Sequence, residues 1–273
     1  MTVGEAVRGA AEALAVEWGR LDAEALMAHT LGVSRSDMLL RHMRDPVPES
    51  FARLLERRLA HEPVAYILGY QEFYGLDFIV TPDVLIPRGD SETLIGAALE
   101  LAPDAKRVLD LGTGSGALLL TFLAETRGSG IGLDASAAAL SVAQANAEKL
   151  GLEGNAQFRE ADWTKAGWVD DLGQFDLILC NPPYVEDAAP LDPSVRGYEP
   201  ASALYAGPEG LDDYRVLLPQ LAPLLTENGT AIFEIGSKQA DPVTAIAENC
   251  SFLVRLHRDL ASRPRALSLK LQR

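Results

Sequence analysis

The chain has 273 residues, of which 48% are hydrophobic and 23% are charged, and its formal net charge is −15. This length and composition are typical of a globular protein with one large domain or two unequal ones, and the negative charge argues against a stable nucleic-acid partner. No apolar run approaches the ~20 residues of a membrane span, and the N-terminus carries acids where a secretion signal would be basic. We therefore expect a cytoplasmic protein that does not bind membranes.

The first 62 residues have the periodicity of short helices. Val3, Val7, Ala10, Ala11 and Leu14 recur at spacings of three and four residues, which is typical of a helix with one apolar face. Similar patterns cover residues 21–34 and 47–63. We predict that residues 1–62 form a small N-terminal helical bundle.

Residues 63–87 have a different composition. Aromatic and β-branched residues dominate them, and residues 74–77 (Tyr-Gly-Leu-Asp) fit a tight turn between two short strands. The pattern predicts a β-hairpin linker.

From residue 88 to residue 273, strand patterns alternate with helix patterns. Predicted helices cover residues 91–102, 116–126, 138–151 and 212–225, and predicted strands cover residues 107–112, 130–135, 156–162, 175–181, 230–236, 252–259 and 266–273. Such alternation indicates crossover units and a mostly parallel sheet, so the fold class is α/β and Rossmann-like with seven strands. The last two strands are expected to form an antiparallel pair at one side.

A glycine-rich loop follows the first strand of this sheet. Its residues are Gly112, Thr113, Gly114, Ser115 and Gly116. Glycines between a strand and a helix allow a tight turn and a close backbone approach to a ligand. The spacing also fits a dinucleotide fingerprint or a purely structural turn.

Two carboxylates accompany the loop. Asp110 lies two residues ahead of it, and Asp134 ends the next strand, about 20 residues beyond the loop, where a carboxylate can bind the hydroxyls of a ribose. The third strand runs into Asp162 and Trp163.

These motifs resemble those of class I S-adenosylmethionine-dependent methyltransferases, which release S-adenosylhomocysteine. The resemblance implies that Asp162 accepts from the adenine amino group and that Trp163 covers the adenine, although a core aromatic is the alternative for Trp163. The residues it assigns to cofactor binding are Asp110, Gly112, Thr113, Gly114, Ser115, Gly116, Asp134, Asp162, Trp163 and Asn181.

The fourth strand ends in Asn181, Pro182, Pro183 and Tyr184. Because parallel sheets bind ligands at the carboxyl ends of their strands, this segment is expected beside the cofactor. The Asn181 side-chain oxygen and the Pro182 carbonyl would be two rigid acceptors for a planar NH2 group, and Tyr184 could stack on its π-system. The pattern predicts methylation of a planar nitrogen; a proline-stiffened turn is the alternative.

Nearly the whole chain is similar to the glutamine methyltransferases that modify peptide-chain release factors. The resemblance rests on the segment from residue 62 to residue 88, the loop Leu-Asp-Leu-Gly-Thr-Gly-Ser-Gly, the Asn-Pro-Pro-Tyr motif and residues 195–215. It implies that the N-terminal domain docks the release factor and that Asn-Pro-Pro-Tyr takes the glutamine of its Gly-Gly-Gln motif. We expect a monomer. A ribosomal-protein glutamine methyltransferase, a nucleic-acid amine methyltransferase and a cofactor-binding module without activity remain alternatives.

One segment departs from the family pattern. The family usually has Arg-Pro-(Asp/Glu)-Thr-Glu where this chain has Arg88, Gly89, Asp90, Ser91 and Glu92. The loss of a rigid proline puts the closure over the cofactor in question. Arg88 and Glu92 fit either a charge pair at a helix start or a role in the site.

The two cysteines and four histidines are scattered without the spacing of metal ligands. We expect reduced thiols at Cys180 and Cys250 and no bound metal.

Overall fold

The computed structural model describes residues 1–272 and divides into two compact units. The smaller one, called here the helical unit, comprises Met1–Tyr70 and Leu191–Tyr198. The larger one, called the catalytic unit, comprises Gln71–Pro190 and Glu199–Arg273, of which Arg273 lies outside the described residues. The last predicted strand therefore extends one residue beyond the part that is described.

The helical unit confirms the predicted N-terminal bundle. Its helices from the first part of the chain are α1 (Val3–Leu14), α2 (Gly19–Leu31), α3 (Arg35–Asp37, continued by a five-residue π-helix, Met38–His42), α4 (Ser50–Leu59) and α5 (Val64–Leu68). A capping box starts α1: Glu5 N–H donates to Thr2 Oγ1 (3.3 Å), and Thr2 N–H donates to Glu5 Oε2 (2.7 Å). Gly32 closes α2 in the left-handed conformation, with φ +67°.

The catalytic unit contains a hairpin and a larger sheet. The hairpin strands are β1 (Tyr70–Phe73, whose first residue belongs to the helical unit) and β2 (Leu76–Ile79), as the sequence predicts. The remaining strands are β3 (Arg107–Leu111), β4 (Ser129–Asp134), β5 (Ala156–Glu160), β6 (Phe175–Cys180), β7 (Leu225–Glu234), β8 (Phe252–Arg258) and β9 (Pro264–Leu271). The remaining helices are α6 (Glu92–Leu101), α7 (Ala117–Glu125), α8 (Ala137–Leu150), α9 (Pro193–Tyr198, in the helical unit), α10 (Asp212–Leu217) and α11 (Ala240–Asn249).

The seven-stranded sheet has the order β5-β4-β3-β6-β7-β9-β8. Strands β3 to β7 pair in parallel, whereas β9 pairs antiparallel with both β7 and β8. This confirms the predicted fold class and the antiparallel pair at one side. The chain reverses its direction of winding between β3 and β6, which is where open parallel sheets bind ligands.

Helices cover both faces of the sheet, and successive residues of its strands point to opposite faces. In β6, Leu177 and Leu179 belong to the hydrophobic cluster that includes residues of α6 and α7. Ile178 and Cys180 belong to the cluster that includes residues of α10 and α11. Burial on both faces explains why the strand sequences are almost continuously apolar.

Two helix predictions were inaccurate. The helix predicted over residues 212–225 ends at Leu217 and continues as two 3-10 turns that contain Pro219 and Pro223, since a proline lacks the N–H that continues an α-helix. Helix α11 was not predicted, although its Pro242 lies in the first turn, where proline is tolerated.

Candidate active site

The glycine-rich loop connects β3 to α7 at the carboxyl edge of the sheet. Gly112, Gly114 and Gly116 have φ values of +73°, +53° and +82°, which favour glycine at each position. The N–H groups of Gly112 and Thr113 both donate to the carbonyl of Leu133, over 2.9 and 2.8 Å. The loop is thereby attached to the end of β4.

Asp134 is held by the same loop. Its carboxylate accepts the N–H of Gly114 and the N–H of Ser136, each over 2.9 Å. Asp134 lines the main cavity of the catalytic unit together with Gly112, Thr113 and Gly114. The structure therefore brings the predicted ribose ligand and the glycine loop to one cavity.

Asp110 lies beneath the loop rather than in the lining of the cavity. Its side chain is buried; Oδ2 accepts from the hydroxyl of Thr113 over 2.7 Å, and Oδ1 has no hydrogen-bond partner within residues 1–272. Burial raises the pKa of Asp110 to about 7, although the Thr113 hydrogen bond acts in the opposite direction. Asp110 is therefore connected to the cavity lining through its hydrogen bond with the hydroxyl of Thr113.

Trp163 and Asp162 occupy different surroundings. The Trp163 ring lines the cavity and lies against Gly112, where an added Cβ atom would stand 3.2 Å from Cη2 of the ring. Its Nε1–H donates to Asp213 Oδ1 over 2.7 Å. Asp162 lines a neighbouring cavity instead, and the hydrogen bonds from Thr164 lower the pKa of its carboxyl.

The Asn-Pro-Pro-Tyr segment follows β6 at the same edge. Asn181 and Pro183 line the main cavity, and the Asn181 side chain makes no hydrogen bond within the described part of the chain. Pro182 is buried and Tyr184 is half-buried, and neither belongs to the cavity lining. Tyr184 Oη–H donates to Glu234 Oε1 over 3.1 Å, and burial raises the pKa of both side chains.

The cavity has a volume of about 520 Å³, within the usual range for a small-molecule site. Carboxylates of Asp83 and Asp134 are part of its lining, whereas none of its lining residues is Lys, Arg or His. Gly116 is the remaining loop glycine and packs against α7 and α8 rather than lining the cavity. The electrostatics favour a ligand with positive charge.

Sequence reasoning missed a large part of this lining. The additional residues come from β1, from the chain after β2, from the starts of α7 and α8 and from the segment after α9: Phe73, Pro82, Asp83, Val84, Leu85, Pro87, Ser91, Ala117, Leu118, Ala135, Ser136, Ala139, Pro200, Ser202 and Ala203. The sequence carried one signal, since residues 82–87 and 200–203 belong to the segments on which the family resemblance rests.

Arg88 pairs with Glu199 and not with Glu92, so of the two alternatives left open by the sequence, the charge pair at the helix start is not formed. The Glu199 carboxylate, 1% exposed, also accepts the N–H of Ile86 over 3.1 Å. Glu92 instead accepts the N–H of Tyr74 over 3.1 Å. The Arg88–Glu199 pair joins two segments that both contribute to the cavity lining.

Residues 1–272 contain neither a cluster of metal ligands nor a helix that could span a membrane. No group of three or more His, Cys, Asp or Glu side chains in this range could hold a metal ion. No helix in it is long and apolar enough to cross a membrane. Cys180 and Cys250 are both free cysteines.

Two family models match the chain. A model described as a methyltransferase domain matches residues 103–254, and one described as a PrmC N-terminal domain matches residues 5–69. The first match includes the glycine loop, Asp134, Trp163 and Asn181. The second includes most of the helical unit's N-terminal segment.

Two relatives match most of the chain. The chain is 40% identical to a release factor glutamine methyltransferase from Rhodospirillum rubrum, over 92% of this chain and 79% of that protein. It is 39% identical to a protein of the same name from Cereibacter sphaeroides, over 99% of both chains.

Among solved structures, a methyltransferase from Pyrococcus furiosus has a TM-score of 0.53 and 18% sequence identity, over 72% of this chain and 89% of that chain. At this identity the likeness concerns the fold alone.

Proposed function

Since this chain belongs to the release factor glutamine methyltransferase family, we propose that its Asn-Pro-Pro-Tyr segment binds the glutamine of a release factor beside the methyl donor. The protein is an enzyme that methylates a protein glutamine and uses S-adenosylmethionine. The observation that carries the proposed site is that Asn181, with no hydrogen bond to its side chain within residues 1–272, lines the same cavity as the glycine loop and Asp134.

The residues of the cavity fit S-adenosylmethionine. The molecule carries a sulfonium and an ammonium against one carboxylate, and the lining has two carboxylates and no basic side chain. Asp110 contributes through Thr113 instead: its buried carboxyl, whose pKa is raised to about 7 by burial, accepts the Thr113 hydroxyl and so fixes the loop that lines the cavity. Asp134 is the acceptor we assign to the ribose, and Gly112 and Trp163 provide an apolar surface for the adenine.

Asp162 is assigned to the adenine amino group on the family resemblance. Its carboxylate lines the neighbouring cavity and is held by Thr164 and Lys165. Trp163 in the main cavity is therefore the better supported of the two adenine contacts.

An amide nitrogen is a poor nucleophile because its lone pair is delocalised. Asn181 Oδ1 and the carbonyl oxygen of Pro182 would each accept one hydrogen of the glutamine NH2 group, which orients the nitrogen and allows its lone pair to localise. When bound, S-adenosylmethionine supplies a methyl group on a positively charged sulfur. The nitrogen forms a bond to the methyl carbon as the carbon–sulfur bond breaks, and the amide nitrogen then releases one proton to solvent. Pro183 and Tyr184 would pack against the amide plane.

We propose the Gly-Gly-Gln glutamine of class 1 release factors as the substrate. Residues 1–62 would dock the release factor, residues 63–87 would form the linker, and residues 88–273 would carry the chemistry. Nine large hydrophobic side chains are exposed within residues 1–272, and seven of them belong to the helical unit: Met1, Val16, Trp18, Leu21, Leu40, Leu59 and Tyr70. We propose that apolar side chains among these contribute to docking the release factor.

We also propose that the enzyme is a cytoplasmic monomer with no stable nucleic-acid or membrane partner. The net charge of −15 supports this assignment for nucleic acids, because it would repel phosphates. The two free cysteines fit a reducing compartment.

The test is transfer of a tritiated methyl group from S-adenosylmethionine to four substrates in parallel. These are a purified release factor, the same release factor with its Gly-Gly-Gln glutamine changed to glutamate, a ribosomal protein fraction and DNA. We expect label in the first only, because the glutamate side chain lacks the two hydrogens that the segment would accept. Label in the glutamate substrate would contradict the mechanism, and label in the ribosomal fraction alone would contradict the substrate.

A further inference from the structure

Gln239 attaches the Asn-Pro-Pro-Tyr segment to two other parts of the catalytic unit. Its Nε2 donates to the carbonyl of Tyr184 and to the carbonyl of Gly210, each over 3.0 Å. Its Oε1 accepts the N–H of Gly236 over 2.9 Å. One side-chain amide therefore uses both hydrogens and its oxygen on three backbone groups, a pattern that also determines the orientation of the amide.

The surroundings are shaped for this side chain. A Cβ atom on Gly210 would stand 2.8 Å from Gln239 Nε2, and one on Gly236 would stand 2.8 Å from Gln239 Oε1. Gly210 also has φ +66°, which favours glycine independently. Both neighbours of the amide are thus positions where a larger residue would displace it.

The main chain of Gln239 is held separately. Its N–H donates to the carbonyl of Gly236 over 2.9 Å, and its carbonyl accepts the N–H of Val243 in the first turn of α11, over 3.1 Å. The backbone is therefore positioned by the turn and the helix, whereas the side chain reaches Tyr184. Substituting the side chain need not disturb either backbone bond.

Tyr184 is consequently held at two points. Its hydroxyl donates to Glu234, which is 1% exposed at the end of β7, and its carbonyl accepts from Gln239. Pro182 and Pro183 have no N–H to donate, so the segment depends on contacts at its ends. Gln239 itself is not among the residues that line the cavity.

We propose that Gln239 is a positioning residue for methyl transfer: by holding the Tyr184 carbonyl, it sets the position of Asn181 and Pro182 relative to the methyl donor. The inference rests on the proposed function of that segment. A displacement of about 1 Å in an aligned site lowers turnover by about 10²-fold, whereas cofactor affinity depends on residues that Gln239 does not contact.

The test compares Gln239→Glu and Gln239→Met with the wild-type enzyme, using the release factor as substrate. The carboxylate of Gln239→Glu can still accept from Gly236 but places negative charge against two carbonyl oxygens. The Met side chain has a similar length and no donor. We expect kcat to fall about 10- to 100-fold in both variants, with the Kd for S-adenosylmethionine within about twofold of wild type.

A pH profile separates positioning from general destabilisation. A glutamic acid at position 239 regains one O–H donor when it is protonated, and the two facing carbonyls favour that neutral form. Relative to wild type, kcat of Gln239→Glu should therefore rise as the pH is lowered from 8 to 5.5, while Gln239→Met stays flat. The charged groups on the elements around Gln239 are Lys238, which precedes it in the chain, and Glu234, which accepts the Tyr184 hydroxyl, and both variants retain them.

The control is Asn155→Asp, which removes a hydrogen bond from a side-chain amide to the carbonyl of Gly128 at the amino-terminal edge of the sheet. It should lower the melting temperature without changing kcat. Crystal structures of the variants supply a readout that needs no activity: Asn181 should be displaced in Gln239→Met.

Wild-type kcat in both variants, or an unmoved Asn181 in the Gln239→Met structure, would overturn the inference. If the wild-type enzyme does not methylate the release factor, the proposed substrate fails, and the displacement of Asn181 still decides the role of Gln239. If one of the two variants does not fold, the other still tests the inference, since Gln239→Glu and Gln239→Met remove the amide donors in chemically different ways.

Discussion

Arg88 forms an ion pair with the buried carboxylate of Glu199, although 111 residues separate them in the chain. Pro87, which precedes Arg88, and Pro200, which follows Glu199, both line the cavity. The pair therefore joins two walls of the site. Arg88 belongs to the segment that departs from the family pattern. Although Gly89 stands where the family usually has proline, its neighbour Arg88 is held in place by the ion pair with Glu199.

We expect Glu199→Gln to destabilise the protein by about 2 kcal/mol, because Arg88 loses its charged partner while the N–H of Ile86 keeps an acceptor. Cofactor affinity should fall at the same time. Urea unfolding and calorimetry measure the two effects. Glu100→Gln is the matched control, since its pair with Arg255 has side chains 58% and 60% exposed, and it should change stability by less than about 1 kcal/mol. Equal effects of the two changes would contradict this role of Glu199.

Asp134→Ala should weaken S-adenosylmethionine binding by roughly 1–3 kcal/mol, the range for a charge-assisted hydrogen bond. The change also removes the acceptor of Gly114 and Ser136, so Asp134→Asn, which keeps one acceptor oxygen, should lose less. Calorimetric titration of both variants gives the order of affinities. Asp104→Ala, at an exposed carboxylate outside the lining, serves as the control. An unchanged affinity in Asp134→Ala would remove Asp134 from the cofactor site.

Asn181→Ala should fold and bind cofactor while its turnover falls by at least ~10²-fold, the effect of losing one preorganised partner of the reacting group. Asn181→Asp keeps the acceptor geometry but adds charge beside the sulfonium, so we expect activity between Ala and wild type. Single-turnover methylation of a release factor measures both variants. If Ala and Asp are equally active, the side-chain oxygen of Asn181 is not an acceptor in the reaction.

Trp18→Ser should raise the KM for an intact release factor by about fivefold or more, the effect expected when an aromatic anchor of an interface is lost. Trp18 is 61% exposed, so the change should leave the fold intact. Methylation of a short Gly-Gly-Gln peptide should not change, because such a peptide does not reach a docking surface. Leu253→Ser, at a side chain 58% exposed on β8, is the control. A matching loss of activity on the peptide would argue against docking.

Asp110 should make stability depend on pH. Burial raises its pKa from 3.8 to about 7, so the folded state holds a proton that the unfolded chain has released between these values. The free energy of unfolding therefore falls as the pH rises through this window, by at most roughly 4 kcal/mol. Asp110→Asn lacks this contribution, so its stability relative to the wild type should rise from pH 4 to pH 7. Denaturant titrations without cofactor measure the free energy of unfolding of both proteins at each pH. If this free energy depends on pH in the same way for Asp110→Asn and the wild type, the carboxyl of Asp110 is not neutral in the folded protein.

Local sequence patterns were sufficient for the sheet and for part of the site. The strands are short apolar runs bounded by glycine or polar residues, and parallel strands place their carboxyl ends at one edge. The glycine loop, Asp134, Trp163 and Asn181 each lie at or just beyond the end of such a strand, so their convergence on one cavity could be expected from the sequence alone. The same reasoning could not predict which of Asp162 and Trp163 lines the main cavity, because consecutive side chains point in different directions. Trp163 lines the main cavity, and Asp162 lines another one.

Only the tertiary structure decided which distant groups meet. Arg88 has Glu92 nearby in sequence, yet it pairs with Glu199, and Gln239 carries no local signal for its bonds to Tyr184 and Gly210. Asp110 looks like any acid beside a glycine loop, and its pKa near 7 arises from the burial that the packed helices impose. Periodicity and turn chemistry act over a few residues, whereas partners and burial depend on how loops from separate strands pack together. For that reason the sequence could indicate the residues of the site, whereas only the packed fold determined which other residues hold them in position.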